Sequence, residues 1–152
     1  MHLKTYNIIF QLIFILNLNN LYIHYGSKYN INPKWLKCLS ISESNENIYA
    51  INHKKKCIYF NNYNSAKLYI NNVSINDQID IGLFQINKYW FNKLELNLVT
   101  GLNPNYNTEI ACILLTEIFQ RKGYSFKSLP YFHNPKFKLQ YYKHLLKIYN
   151  KL

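Results

Sequence analysis

The sequence predicts a mainly helical single domain with a short β or irregular excursion around residues 53–79. Three observations carry that expectation. The chain has 152 residues, which suits one domain and suffices to bury a core without metal or disulfide staples. Several segments repeat apolar residues at spacings of three and four and carry helix start or stop signals. Between Asn52 and Asp80 that spacing gives way to short apolar–polar alternations.

In chain order, Lys4 and the amino terminus precede an apolar run from Ile8 to Leu16, which Asn17, Asn19 and Asn20 end. The run has the length of a signal-peptide core and is short for a membrane span. Residues 1–20 are therefore expected to be a signal peptide or, if uncleaved, a weak N-terminal anchor on an exported protein, with residues 21–152 as the domain. A helix is expected from near Asn19 to Tyr29, broken by Asn30 to Asn32. Asn32-Pro33 is a second start signal, asparagine as cap and proline at the first helical position. Trp35, Leu36, Cys38 and Leu39 give that helix its apolar face. The basic run His53 to Lys56 and the alternations at Cys57–Phe60 and Lys67–Ile70 suggest a short hairpin or an irregular lobe. A further helix is expected from Thr108 to Lys122, capped by Asn107 and stopped by Gly123. The last runs from about Lys136 to Lys151, with Leu139, Tyr142, Leu145, Leu146 and Tyr149 on its apolar side. No internal repeat and no Gly/Ser/Pro linker divides the chain.

Hydrophobic residues make up 49% of the chain and the mean hydropathy is -0.25, which excludes a polytopic membrane protein and a disordered tail. Lys and Arg number 18 against 7 Asp and Glu, for a net charge of +11. Only Arg121 is an arginine, and Lys, Asn, Ile and Tyr are all heavily used, the bias that an AT-rich coding sequence produces. The charge fits an anionic polymer such as cell wall, nucleic acid or a membrane surface, and equally a solvated basic surface with no dedicated partner. A single arginine is a poor supply for bidentate contacts to bases and phosphates, and the export segment also argues against nucleic acid. Cys38, Cys57 and Cys112 show no CxxC and permit at most one bridge; Cys38 and Cys112 read as small buried hydrophobes. The five histidines are scattered. Neither a metal nor a cofactor is implied.

The search for an acid catalyst is short, because only seven carboxylates exist. Asp77, Asp80, Glu95, Glu109 and Glu117 fall near turns, helix starts or polar faces, where solvation explains them; Glu109 suits the positive end of its helix. Glu43 differs, since Leu39 and Leu36 lie four and seven residues before it and place it on the apolar face. Burial there raises a carboxyl's pKa and keeps its proton for donation; a helix-terminal Glu that bends out to water is the alternative. The string Asp80-Ile81-Gly82-Leu83-Phe84-Gln85-Ile86-Asn87 is also unusual. Gly82 permits close backbone approach or a positive φ, and Gln85 in apolar company must pair with backbone or with a ligand.

These segments resemble lytic transglycosylases of the goose-lysozyme-like fold. Glu43 to Asn52 (ESNENIYAIN) is similar to that family's "ESGFNPYAIN" segment, and Asp80 to Asn87 to its "DIGLMQIN" segment. Asn103 to Ile110, followed by an apolar helix, is similar to its "DPCTNIRAGAWIL" stretch. Phe126 to Asn134 is similar to the "WxAIGRYHS" segment of the branch that accompanies secretion systems, conjugation machines and pilus assembly. The four segments occur in family order and together cover about residues 20 to 150.

The resemblance implies a small lysozyme-like α domain that cleaves the β-1,4 bond between N-acetylmuramic acid and N-acetylglucosamine in peptidoglycan glycan strands. It implies a periplasmic or cell-wall location and, for this branch, a partner apparatus. Glu43 matches the single catalytic acid/base and Ser44 the neighbour that orients it. Gln85 and Ile86 match the floor of the sugar groove, and Asn87, Tyr131, Phe132 and His133 are the further substrate-binding candidates that the resemblance implies. Some aromatics, Trp35 and Trp90 among them, would line the groove. Asp80 is read as structural, because the family does not use that position for chemistry. Departures from the pattern are Asn45 and Glu46 after Glu43-Ser44, Phe84 for methionine, Tyr106 for the family's cysteine, and an insertion near His53–Ile75. Glu46 would repel Glu43 if it pointed the same way. The family's tyrosine falls at Phe132, so a hydroxyl at the site would have to come from Tyr131 by a one-residue slip. Without one, the chain would be a weakened cell-wall-binding factor. The resemblance implies that the sugar's own 6-hydroxyl closes a 1,6-anhydro ring; water attack in its place would make the chain a lysozyme.

Overall fold

The computed structural model of the chain describes residues 17–134 and 136–152. The apolar run Ile8 to Leu16 lies outside them, and among the described residues no helix is long and apolar enough to cross a membrane. The first described helix, α1, covers residues 17–29 and buries Leu18, Tyr22 and Tyr25, spaced four and three apart. It stops at Asn30, whose φ of 54° is a left-handed conformation that asparagine tolerates.

Helix α2 (Pro33–Ser44) starts where Asn32-Pro33 predicts. The Asn32 side chain accepts the Lys34 N–H at 2.9 Å. It ends at left-handed Asn45, with the Asn45 and Glu46 N–H groups turned back to the Ile41 and Ser40 carbonyls.

The excursion is a four-stranded antiparallel sheet in the order β2-β1-β3-β4. Its strands are β1 (Ala50–His53), β2 (Lys56–Tyr59), β3 (Ile79–Ile81) and β4 (Ile86–Asn87). The register sets Asn52 opposite Asp80 and Asp80 opposite Asn87, so three polar side chains form one cross-strand row. Between β2 and β3 runs a helix that the alternation did not suggest, α3 (Tyr63–Asn71). Asn62 caps it by accepting the Ser65 N–H at 2.9 Å, and Ala66 and Ile70 face the core. The stretch Lys67–Ile70 thus follows a period of four, not two. His53 secures this lobe, 2.8 Å from the Tyr69 hydroxyl and 3.0 Å from Asp77. Buried Lys88 donates to the Ile75 and Asp77 carbonyls. His53 and Lys54 hold the Asp77 carboxyl below its ordinary range.

The remainder is helical: α4 (Lys88–Lys93), a 3-10 turn at Leu98–Leu102, α5 (Pro104–Lys122), a second 3-10 turn at Phe126–Ser128, α6 (Pro130–His133) and α7 (Leu139–Tyr149). Helix α5 begins four residues earlier than expected, because Asn103-Pro104 repeats the Asn32-Pro33 signal and Asn103, not Asn107, is the cap. Helix α7 is shorter than expected, starting at Leu139. Asn32, Asn62, Asn87, Asn97 and Asn103 all cap helix or 3-10 starts through their side-chain oxygens. These five asparagines, which composition alone assigns to coding bias, are therefore at work on helix ends. In the core, burial pushes the Cys38 thiol up to about 11 and the Cys112 thiol up to about 12. Cys57 is exposed on β2.

Displaced from capping, Asn107 sits fully buried in α5 and joins three elements. Its amide nitrogen donates to the Ile81 carbonyl at 2.8 Å and the Gly101 carbonyl at 2.9 Å, and its oxygen accepts the Phe84 N–H at 2.8 Å. The β3–β4 turn passes so close that a Cβ on Gly82, where φ is +81°, would lie 2.2 Å from the Gly101 oxygen. We expect Asn107→Ala to lower unfolding free energy by about 3 kcal/mol or more, since it strands three buried backbone groups. Thermal and urea denaturation measure this, and a change within experimental error would contradict it.

Candidate active site

Glu43 stands in the last turn of α2 with its side chain only 10% exposed. The helix places it there because Leu36 and Leu39 on the same stripe are fully buried. Helix α7 packs against α2 and brings Tyr141 to Glu43. The Tyr141 hydroxyl donates to Glu43 Oε1 and accepts from Ser42 at 3.1 Å. Burial, reinforced by the neighbouring Glu43 charge, pushes the Tyr141 pKa far up, so this hydroxyl remains a neutral donor. His133, at the end of α6, stacks on the Tyr141 ring at 4.6 Å and 17° and sets Nδ1 3.4 Å from the same Oε1. Glu43 holds the His133 imidazole above its ordinary range, against the opposite pull of burial. Both contacts engage Oε1; Oε2 has no hydrogen-bond partner among the described residues.

Glu43 opens on a cleft of about 570 Å³ between the helices and the sheet. The sheet wall carries the cross-strand row. Asn52 Nδ2 donates to Asp80 Oδ2 at 3.1 Å and Asn87 Nδ2 to Asp80 Oδ1 at 2.6 Å. Asp80 has no cationic partner among the described residues. Burial raises its pKa, the two amides oppose that rise, and the Glu43 charge adds to it. Asp80 is thus a cleft-lining carboxylate, not the solvated turn residue expected from its position.

Gln85 forms the floor with φ at 48°. Its amide nitrogen is engaged by the Gly82 and Ala50 carbonyls at 2.8 and 3.1 Å, so only its oxygen remains for a ligand. Ile86 and Asn87 also line the cleft. Ser44 is buried and does not face it. Its hydroxyl donates to the Leu83 carbonyl at 2.7 Å, tying the Glu43 end of α2 to the turn that carries Gln85.

Phe132 lines the cleft and meets Phe84 edge-on at 6.4 Å. Tyr131 does not line it. Successive helical side chains diverge by about 100°, and the Tyr131 ring lies instead against Phe137 at 5.7 Å and below Lys122 Nζ at 4.9 Å. The hydroxyl that meets Glu43 is that of Tyr141, which sequence reading missed. Its signal was the spacing Tyr141–Leu145–Ile148 on α7. Trp90 and Tyr59 line the cleft, whereas Trp35 packs among Phe119, Tyr124 and Phe126. Glu46 points away and accepts the Tyr22 hydroxyl at 3.1 Å. Glu109 lies beyond the first turn of α5 and pairs with Lys28 at 2.5 Å, so an ion pair and not the helix end accounts for it. Among the described residues no group of three or more His, Cys, Asp or Glu is arranged to hold a metal ion.

No curated protein and no solved structure gives a significant match. The transglycosylase SLT domain family matches residues 20–130, which take in Glu43, the sheet and α5 and stop short of His133 and Tyr141. With that match over well more than half its length, the chain belongs to the transglycosylase SLT domain family, a mainly helical lysozyme-like fold whose substrate is peptidoglycan and whose reaction is glycosidic cleavage of the transglycosylase type.

Proposed function

We propose that this chain is an exported peptidoglycan lytic transglycosylase in which Glu43 is the single acid/base. One observation carries the reading: a nearly buried carboxyl held at Oε1 by Tyr141 and His133 has its other oxygen without a partner among the described residues, at a cleft walled by amides. Glu43 protonates the glycosidic oxygen as the bond between N-acetylmuramic acid and N-acetylglucosamine breaks. The substrate's 2-acetamido carbonyl stabilises the cationic carbon. Glu43 then takes the proton of the sugar's 6-hydroxyl, whose oxygen closes the 1,6-anhydro ring. That hydroxyl is already on the substrate, so ring closure gains from effective concentration. Gln85 Oε1, the Ile86 backbone, Asn87 and Phe132 bind the sugar beside it, and Ser44 and Tyr141 act as positioning residues.

Export to the periplasm or cell wall follows in this reading from the Lys4–Leu16 segment. A role in opening the wall locally for a secretion, conjugation or pilus apparatus follows from the resemblance of Phe126–Asn134 to the specialised branch. The reading of the chain as a weakened wall-binding factor rests on Phe132 in place of tyrosine; with the Tyr141 hydroxyl on Glu43, the active reading is favoured.

A second reading is favoured by Asp80. Paired carboxylates flanking a glycosidic bond are the usual equipment for hydrolysis, and Asp80 shares the cleft with Glu43. Water attack would then replace ring closure. Asp80→Asn separates the two: turnover stays near wild type for the single-carboxylate mechanism and falls by roughly 100-fold if Asp80 takes part in the chemistry.

Glu43→Gln should abolish fragment release from peptidoglycan, a loss of roughly 1000-fold or more with the melting temperature retained. Tyr141→Phe should cost about tenfold to 100-fold in kcat, the worth of one hydrogen bond to a charged group. Turnover by Glu43→Gln at the wild-type rate would sink the assignment. The His133 imidazole, followed by NMR, should titrate above its ordinary value of about 6.5, and Glu43→Gln should move the midpoint down. Because the folded value is raised, this contact adds stability below the unfolded pKa and is lost as pH rises through the folded one. An unmoved midpoint would contradict the pairing.

A further inference from the structure

The lobe inserted between α2 and β3 contributes to a second groove, of about 560 Å³, between α3 and the start of α5. None of its lining residues lines the cleft. Its walls are the rings of Tyr63 and Tyr106, 40% and 51% exposed, at the starts of α3 and α5. Asn71, Asn97 and Asn103 contribute planar amides. Asn97 and Asn103 use their oxygens as caps, accepting the Val99 and Asn105 N–H groups at 2.9 Å, which leaves the amide hydrogens as donors. Lys67 reaches over the Tyr63 ring at 5.8 Å, and among the described residues no carboxylate lines the groove.

Exposed ring faces beside free amide donors match one ligand class well. The C–H face of a pyranose packs on an aromatic ring, and its hydroxyl and acetamido oxygens accept from amide N–H groups. A cation in the wall suits the carboxylates that peptidoglycan carries on its lactyl groups and peptide stems. Placement agrees with this. Tyr59 lines the cleft and Tyr63 the groove, and four residues of chain span at most about 14 Å.

We propose that this groove is a second glycan site, which holds peptidoglycan beside the cleft while the cleft acts. It gives the insertion a function: its β-hairpin shapes the cleft, and its helix grips the polymer. The inference rests on peptidoglycan being the substrate. Its test is the full chain carrying Tyr63→Ala and Tyr106→Ala together, two exposed positions outside the cleft, compared with wild type on two substrates. On insoluble peptidoglycan the double variant should bind about tenfold more weakly by sedimentation and show a raised apparent KM. On the soluble disaccharide of N-acetylmuramic acid β-1,4-linked to N-acetylglucosamine, the shortest chain that holds the scissile bond, kcat and KM should be unchanged, as should the melting temperature. Equal sedimentation of the two proteins would overturn the proposal, and so would an equal loss on both substrates. A wild-type chain that neither binds nor cuts peptidoglycan would instead remove the reading on which it rests.

Discussion

The buried side-chain amide of Asn107 hydrogen-bonds three backbone groups from separate segments: the Ile81 and Gly101 carbonyls and the Phe84 N–H. A buried unpaired polar group costs on the order of 1–3 kcal/mol, so this one residue determines that α5, the Leu98–Leu102 turn and the β3–β4 turn share a single arrangement. Gly82 is required there because no side chain fits against Gly101. The left-handed Gln85 and the Ser44 bond to Leu83 complete the anchoring of the turn to the end of α2. The residue before Ser44 is Glu43. The cleft's floor and its acid are thus referred to one internal frame.

Across the cleft the two carboxylates receive different treatment. Asp80 is gripped at both oxygens by neutral amides set by strand register, whereas Glu43 is held, among the described residues, at one oxygen only. A group with one unengaged oxygen can give and take a proton without breaking its supports, which is the property an acid/base needs. The scarcity of acidic residues sharpens the contrast. Asp77, Glu46 and Glu109 are bound to His53, Tyr22 and Lys28, and among the described residues Glu43 and Asp80 are the acidic residues that line the cleft. The surrounding excess of lysine favours an anionic polymer at the surface but has no part in the geometry of the site.

Legibility in the sequence followed the range of the forces involved. Helix starts at Asn32-Pro33 and the apolar position of Glu43 depend on neighbours within a turn or two, and both are readable from spacing. Asn103-Pro104 carried the same local signal and was passed over for Asn107, whose short polar side chain suits a cap equally well; only its burial among three elements tells the roles apart. Helix α3 was hidden because exposed Tyr63 and Leu68 blur the four-residue spacing of buried Ala66 and Ile70. Asp80 looked solvated because the register that places Asn52 and Asn87 beside it depends on strand pairing. Tyr141 lies 98 residues from Glu43, and no local pattern could say that α7 would return to α2. The resemblance supplied the expectation of a hydroxyl on α6, whereas the hydroxyl that meets Glu43 is on α7.

The central claim is that Glu43 alone moves the proton and that ring closure, not water, completes the reaction. Digestion of peptidoglycan by the full chain in ¹⁸O-water, with mass analysis of the released fragments, tests it most directly. The account predicts 1,6-anhydro ends that carry no label. Reducing ends that contain one ¹⁸O atom would contradict it and transfer the second step to water.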